Sequence, residues 1–230
     1  MAKDYELDDA LLELVLEQSG LAGKGVCGID EAGRGCLAGP RVAAAVILRG
    51  DVPAGLGDSK ALSAKKGDSL YEQLVETARV GVGVGVGVVG PEVIDEVNIA
   101  QANFQAMQPA LRELASKVAL GDIGSVVVDG NYLTAGLQRD SAQLGATIFT
   151  MVKRDAKVAA ISAASIIAKV SRDRIMKELD SVHTGYGVAD HAGYCSPAHL
   201  AALKKLGPCA VRRMTFAPVA AARRTEAETC

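Results

Sequence analysis

Val26-Cys27-Gly28-Ile29-Asp30-Glu31-Ala32-Gly33-Arg34-Gly35-Cys36-Leu37-Ala38-Gly39-Pro40 is the stretch from which the fold of this 230-residue chain is read. A short apolar run ends in two adjacent carboxylates, and a Gly-Arg-Gly turn follows at once. Ionised neighbours where a buried strand should finish repel each other and resist desolvation. Two readings meet that cost: a solvated loop after the strand, or a divalent cation that offsets the charge.

Working outward, Val26–Ile29 and Arg41–Leu48 read as strands on either side of the turn. The second is apolar on both faces, as a central strand would be. Val80–Val89 alternates Val and Gly, a period of two that predicts a third strand with its glycines beneath something packed close to the backbone. Ser125–Val128 and Thr147–Val152 are further strand candidates. Helices are expected near 7–18, near 64–78 with Ser63 as N-cap, from Pro91 to about Lys117, over roughly Ala156–Leu179, and from Pro197 to Leu206. Pro109 should break or kink its helix near Gln108. The Ala/Arg/Glu tail from about Ala220 reads as disordered. Together these elements give an α/β chain, a mixed sheet with helical flanks.

Acids recur at the strand ends. Asp30 and Glu31 follow the first strand, Asp129 the fourth and Asp155 the fifth. Each Asp alone reads as a turn residue. If the strands are neighbours, four hard oxygen donors converge at one sheet edge, which is what Mg2+ or Mn2+ requires. Two such ions can activate a water and stabilise a leaving oxygen in phosphodiester hydrolysis. Basic residues lie nearby in sequence, among them Arg34, Lys60, Lys65, Lys66, Lys153, Arg154, Lys157, Lys169, Arg172 and Arg174. Each reads singly as surface charge, and those beside the acids are candidates for phosphate contact.

Bulk properties narrow the classes. No apolar run approaches the length of a membrane span, and the acidic N-terminus lacks a signal-peptide core, so a cytoplasmic chain is expected. Five cysteines without a Cys-x-x-Cys pair argue against a disulfide framework and for a reducing compartment. A net charge of −2 is neutral on nucleic acid, and 3% aromatics without Trp argue against a base-stacking platform. Gly33-Arg34-Gly35-Cys36-Leu37-Ala38 fits a dinucleotide fingerprint, but Pro40 and a β-branched run stand where its helix should begin. His191, Cys195, His199 and Cys209 match no common zinc spacing. No Ser/His/Asp constellation stands out, and Ser162 and Ser165 read as helix-packing residues. Tyr194, between glycine and small residues, reads as a loop aromatic that either packs or stacks on a sugar.

The assembled motifs, Gly28-Ile29-Asp30-Glu31-Ala32-Gly33-Arg34-Gly35, Leu37-Ala38-Gly39-Pro40, Asp58-Ser59-Lys60, Val128-Asp129-Gly130-Asn131, Asp155-Ala156-Lys157, Ala163-Ala164-Ser165-Ile166-Ile167-Ala168-Lys169-Val170, Arg172-Asp173-Arg174 and Gly193-Tyr194, closely resemble bacterial ribonuclease HII. The resemblance runs from about Gly25 to Pro218. It implies a ribonuclease H-like fold, a five-stranded mixed sheet flanked by helices with a helical C-terminal extension. The segments would be an N-terminal helical segment over 1–24, a catalytic domain over 25–180, the extension over 181–219 and the tail over 220–230.

The resemblance also implies endonucleolytic cleavage of RNA in RNA–DNA hybrids, including single ribonucleotides in duplex DNA, by a monomer using two Mn2+ or Mg2+ ions. Asp30, Glu31, Asp129 and Asp155 would be the catalytic, metal-binding acids. Gly33, Arg34 and Gly35 would meet the backbone around the 2′-hydroxyl, the group that marks RNA. Tyr194 would stack on the adjoining deoxyribose, with Lys60 and Lys157 also binding substrate. Cys36 stands where the family usually has Pro, Cys195 where Gly usually follows the Tyr, and Arg154 in place of a small residue. A junction-resolvase-like nuclease and a non-catalytic hybrid-binding module are the alternatives.

Overall fold

The computed structural model describes residues 14, 15, 17, 18, 23–48, 54–56, 62–77, 82–152 and 158–228. Five strands form one mixed sheet: β1 (Gly25–Ala32), β2 (Arg41–Leu48), β3 (Val82–Val89), β4 (Ile123–Asp129) and β5 (Thr147–Met151), ordered β3-β2-β1-β4-β5. The β1–β2 and β2–β3 pairs are antiparallel, and the β1–β4 and β4–β5 pairs are parallel. Helices among the described residues include α1 (Ala64–Thr77), α2 (Pro91–Ala115), α3 (Ala135–Gln143), α4 (Ala159–Val182), α5 (Val188–His191), α6 (Pro197–Leu206) and α7 (Ala217–Glu228).

Side chains alternate across the sheet, so each face carries its own core. Ile29, Ala45, Ile47 and Val128 pack against Ala106, Ala110 and Leu114 of α2 and Leu137 of α3. On the other face Ala44 and Val46 meet Leu70 and Leu74 of α1 and Ala163, Ala164 and Ile167 of α4. The result is three layers. The Val-Gly repeat has the expected purpose: a Cβ at Gly85 or Gly87 would overlap the backbone of Ala110 or Ala106, so α2 lies directly on β3. As an outer strand, β3 leaves edge groups to be satisfied. The Val86 amide donates to Glu113 Oε2 at 2.7 Å, and Lys117 Nζ donates to the Val84 carbonyl at 2.8 Å.

Three sequence expectations are corrected. Pro109 does not break α2; the non-helical residue in that span is Asn98, at φ 71° and ψ 164°. Pro109 and Gln105, whose carbonyl loses its helical donor, both lie on the exposed face, where that carbonyl is open to solvent. Asn98 Oδ1 instead caps a new start, accepting from the amides of Ala100 and Gln101 at 3.0 and 3.2 Å. Second, the sequence reading places no helix between the fourth and fifth strands, whereas α3 joins β4 to β5, as a parallel pair requires a crossover. Third, the tail expected to be disordered from Ala220 continues a helix begun at Ala217. Its Ala, Arg and Glu are strong helix formers, and Val219 is buried against Leu37 and Leu203. The helix expected near 7–18 falls largely outside the described residues; Leu14, Val15, Glu17 and Gln18 are helical.

Hydrogen bonds tie the C-terminal elements to α2 and to the loop after β1. Asp95 of α2 accepts from the Met214 and Thr215 amides at 2.7 and 2.9 Å. Ala38 forms a bridge with Arg212, flanked by Gly39 N–H to Val211 O at 2.8 Å. His199 of α6 stacks on His191, ring centroids 4.1 Å apart, and its Nδ1 lies 2.7 Å from the Tyr194 carbonyl.

Burial, with a smaller push from Arg212 and His191, brings the pKa of His199 down to about 4 from 6.5, against the pull of the Tyr194 carbonyl. The unfolded chain then binds the extra proton below 6.5, so this contribution to stability is complete above that pH and is lost as pH falls toward 4. Urea midpoints measured from pH 7.5 to 4 should decline along that window. A His199→Gln variant should decline less; parallel curves for the two proteins would refute it.

Candidate active site

In the β1–β4 register Gly28 pairs with Val127 and Ile29 with Val128. One step further, Asp30 and Asp129 are therefore neighbours at the same strand end. Ile29 and Val128 belong to the α2 side, so alternation turns Asp30 and Asp129 toward α4. Gly28 sets how close α4 comes: a Cβ there would overlap the backbone of Ala160 and Ile161. Further along α4, the Ser165 hydroxyl hydrogen-bonds to Asp30, and the Glu31 amide donates to Asp30 Oδ1 at 2.6 Å.

Asp30 is 7% exposed. Burial above all, with the charges of Glu31 and Asp129, pushes its carboxyl up to about 7, against the pull of Ser165 and the Glu31 amide. Glu31 has a different partner. Its Oε1 lies 2.6 Å from Nη2 of buried Arg41, whose Nε donates to Asn103 Oδ1 at 2.8 Å.

The turn after β1 rests on buried arginines. Gly33 has φ +90°, and a side chain there would overlap Arg172; Gly35 opens onto free space. Arg34 is exposed. Arg213 lies fully buried under the loop, where its Nη1 donates to the Arg34 carbonyl at 3.2 Å and its Nε to that of Gly39 at 3.1 Å. Burial foremost, with Arg172 and Arg41 adding to it, draws its guanidinium down to about 10, so it stays charged at neutral pH.

These parts line one cleft of about 590 Å³, which brings together Asp30, Glu31, Asp129, Gly33, Arg34, Gly35 and Tyr194. Tyr194 is 54% exposed there. Asp155, Lys60 and Lys157 lie outside the described residues. Of the other basic candidates, Lys169 pairs with Asp173 at 2.7 Å, and Arg174 pairs with Glu72 while stacking on Tyr71. Arg172, read from sequence as surface charge, is 2% exposed. Sequence reading gave no site role to Arg41 or Arg213 and took Ser165 for a helix-packing residue. Arg41 carried a signal, a charge opening an otherwise apolar strand; Ser165 lay within a motif of the resemblance, and Arg213 carried no signal.

Among the described residues no three His, Cys, Asp or Glu side chains form a ready metal cluster. The donor chemistry nonetheless suits a hard cation. Asp30 is desolvated beside two like charges, and a divalent ion relieves both costs.

A mixed sheet of this order, with acids closing its central parallel pair, defines a ribonuclease H-like nuclease. The chain belongs to the ribonuclease HII family, whose profile matches residues 27–219. It is 46% identical over 195 residues to ribonuclease HII of Agrobacterium fabrum, covering 84% of this chain and 82% of that one. Ribonuclease H2 of Pyrococcus horikoshii superposes with a TM-score of 0.67 at 26% identity, over 87% of this chain and 98% of that one. Bst-RNase HIII in complex with Mn2+ shares the fold, with a TM-score of 0.64 at 20% identity, over 90% and 73%. The chain is accordingly an endonucleolytic hydrolase of the RNA in RNA–DNA hybrids.

In the metal-free protein Asp30 should take up a proton near pH 7. Carboxyl 13C shifts followed from pH 4 to 9 should show that transition, and Asp30→Asn should remove it. A midpoint near 4 would refute the desolvated pair.

Proposed function

We propose that the chain cuts at single ribonucleotides embedded in duplex DNA as well as in longer RNA tracts, leaving 3′-hydroxyl and 5′-phosphate ends. Asp30, Glu31, Asp129 and Asp155 would hold two Mn2+ or Mg2+ ions. The observation that carries this reading is the burial of the Asp30 carboxyl beside Glu31 and Asp129, in the cleft that Gly33, Arg34, Gly35 and Tyr194 also line. The chemistry divalent cations supply at such a site is a more acidic bound water and stabilisation of the leaving oxygen.

The chain's own residues divide the remaining work. Asp30 and Asp129 present oxygen donors at adjoining strand ends, Ser165 orients Asp30, and Arg41 holds Glu31 at the rim. Asp155 would complete the acids. Gly35 offers backbone to the ribose without a side chain in the way, which suits reading of a 2′-hydroxyl. Exposed Tyr194 offers a ring face to the neighbouring sugar, and Arg34, Lys60 and Lys157 offer charge to phosphates. The Mn2+ seen with Bst-RNase HIII fits the same oxygen chemistry.

A duplex carrying one ribonucleotide should be cut only when Mn2+ or Mg2+ is added, whereas an all-DNA branched junction should stay intact. Asp129→Asn should lower the rate by roughly 10²-fold or more, the scale on which groups facing developing charge act. Wild-type activity in that variant would sink the carboxylate assignment.

The two glycines of the turn should separate fold from recognition. Gly33→Ala places an L-residue at positive φ against Arg172 and should cost about 1–2 kcal/mol or more in stability. Gly35→Ala should melt like wild type and raise KM for the single-ribonucleotide duplex. Unchanged KM would argue against backbone contact at Gly35.

A further inference from the structure

We infer that Arg172 is the positioning residue that holds the Gly-Arg-Gly turn and Tyr194 in one fixed relation, and thereby sets the preference for an isolated ribonucleotide over an RNA tract. This rests on the roles proposed above for the turn and for Tyr194.

The guanidinium of Arg172 donates to main-chain carbonyls of two segments far apart in sequence. Nε reaches Pro40 O at 3.0 Å and Nη2 reaches Ala38 O at 3.0 Å, both in the loop that follows the turn. Nη1 reaches Ala192 O at 2.8 Å, two residues before Tyr194. Its stem runs directly beneath Gly33, where no Cβ fits. A planar guanidinium offers donors in a fixed fork, so acceptors bound to it are fixed relative to one another.

The same joint is closed at other points. The Leu37 amide donates to Gly193 O at 2.8 Å. Gly193, at φ +76°, comes so near the Ala38 carbonyl that a Cβ would overlap it. The buried Cys36 thiol lies in hydrogen-bonding contact with the Tyr194 side chain. Arg213 makes an internal comparison: its donors go to Arg34, Gly39 and Pro40, all in the loop and none in the Tyr194 segment. One arginine shapes the loop; the other also registers the loop against Tyr194.

An isolated ribonucleotide presents one 2′-hydroxyl followed by one deoxyribose, so turn and tyrosine must both be in place for a single position. A tract offers many registers, and loss of their relation matters less. Misplacement of a reacting group by about 1 Å can cost on the order of 10²-fold.

The test uses Arg172→Lys, Arg213→Lys and Tyr194→Ala, with the two Lys changes also combined with Tyr194→Ala. kcat and KM are measured with Mn2+ on a duplex holding one ribonucleotide and on one holding a long RNA tract. Arg172→Lys should lower kcat on the single-ribonucleotide duplex about tenfold or more, and on the tract about threefold or less. In the Tyr194→Ala background the Arg172 change should add little on the first duplex, because the two act as a unit, whereas Arg213→Lys should keep its full effect. Equal losses on both duplexes, or multiplying effects of Arg172 and Tyr194, would overturn the inference.

Gly193→Ala, which leaves the Arg172 side chain in place but presses on the Ala38 carbonyl that Arg172 holds, should shift the ratio in the same direction. It decides the matter should Arg172→Lys not fold, and an unchanged ratio there counts against the inference. Wild-type protein that cuts neither duplex would instead defeat the functional reading beneath it.

Discussion

Parallel pairing of β1 with β4 forces Asp30 and Asp129 to one end of the sheet, and the rest of the cleft is arranged around that proximity. Two carboxylates on adjacent strands at the same level cannot both be ionised cheaply when one of them is buried. The sheet imposes this, since strand spacing is set by backbone hydrogen bonds and not by side-chain preference. Helix α4 deepens the burial because Gly28 lets it rest on β1, bringing Ser165 to Asp30. A closer helix thus means both a drier carboxylate and a better-oriented one.

Opposite charge lies under the neighbouring loop. Arg172 and Arg213 are almost wholly buried and donate to carbonyls of the chain, which keeps their charge while satisfying their donors. Charged groups out of water are tolerated when hydrogen-bonded in this way. Around this loop the fold forgoes cheap apolar packing for two rigid cations. Short connections rich in glycine have many conformations to lose, and main-chain carbonyls pinned from inside leave them few.

How far the sequence exposed this arrangement depends on what each feature requires. The apolar run of β2, the period of two in β3 and the acids after β1 and β4 are local patterns, so they could be read before any contact was known. The Val-Gly alternation even announced close packing on the backbone, which α2 turns out to supply. Features created by long-range contact could not be read so. Arg172 sits in a helix beside Asp173 and Arg174, both of which reach ordinary surface partners, and nothing local separates it from them. Its acceptors lie more than a hundred residues away or across a loop. Pro109 misled because the cost of proline depends on whether its freed carbonyl faces water, which is a matter of tertiary position. The tail misled because composition alone does not reveal that Val219 has a pocket between Leu37 and Leu203.

The stretch from Val26 to Pro40 joins these two charge regimes through one peptide unit. Arg213 draws the Arg34 carbonyl inward at 3.2 Å. In a trans peptide the carbonyl and the next N–H point to opposite sides, so the Gly35 N–H is turned outward. Gly35 has open space beside it and lines the cleft with the acids. An outward N–H beside a buried cation is a donor held in place before any ligand arrives, on the same wall where Asp30 and Asp129 gather negative charge. A sugar-phosphate backbone laid across that wall would meet donors from the turn and oxygen ligands from the strand ends within one short loop. Cys36, next in the chain, is buried, and its thiol meets the Tyr194 side chain. Cys36, one of the three positions read from sequence as departures from the family pattern, therefore lies at the contact between the turn and the tyrosine, where a change of side chain alters their fit without altering either one.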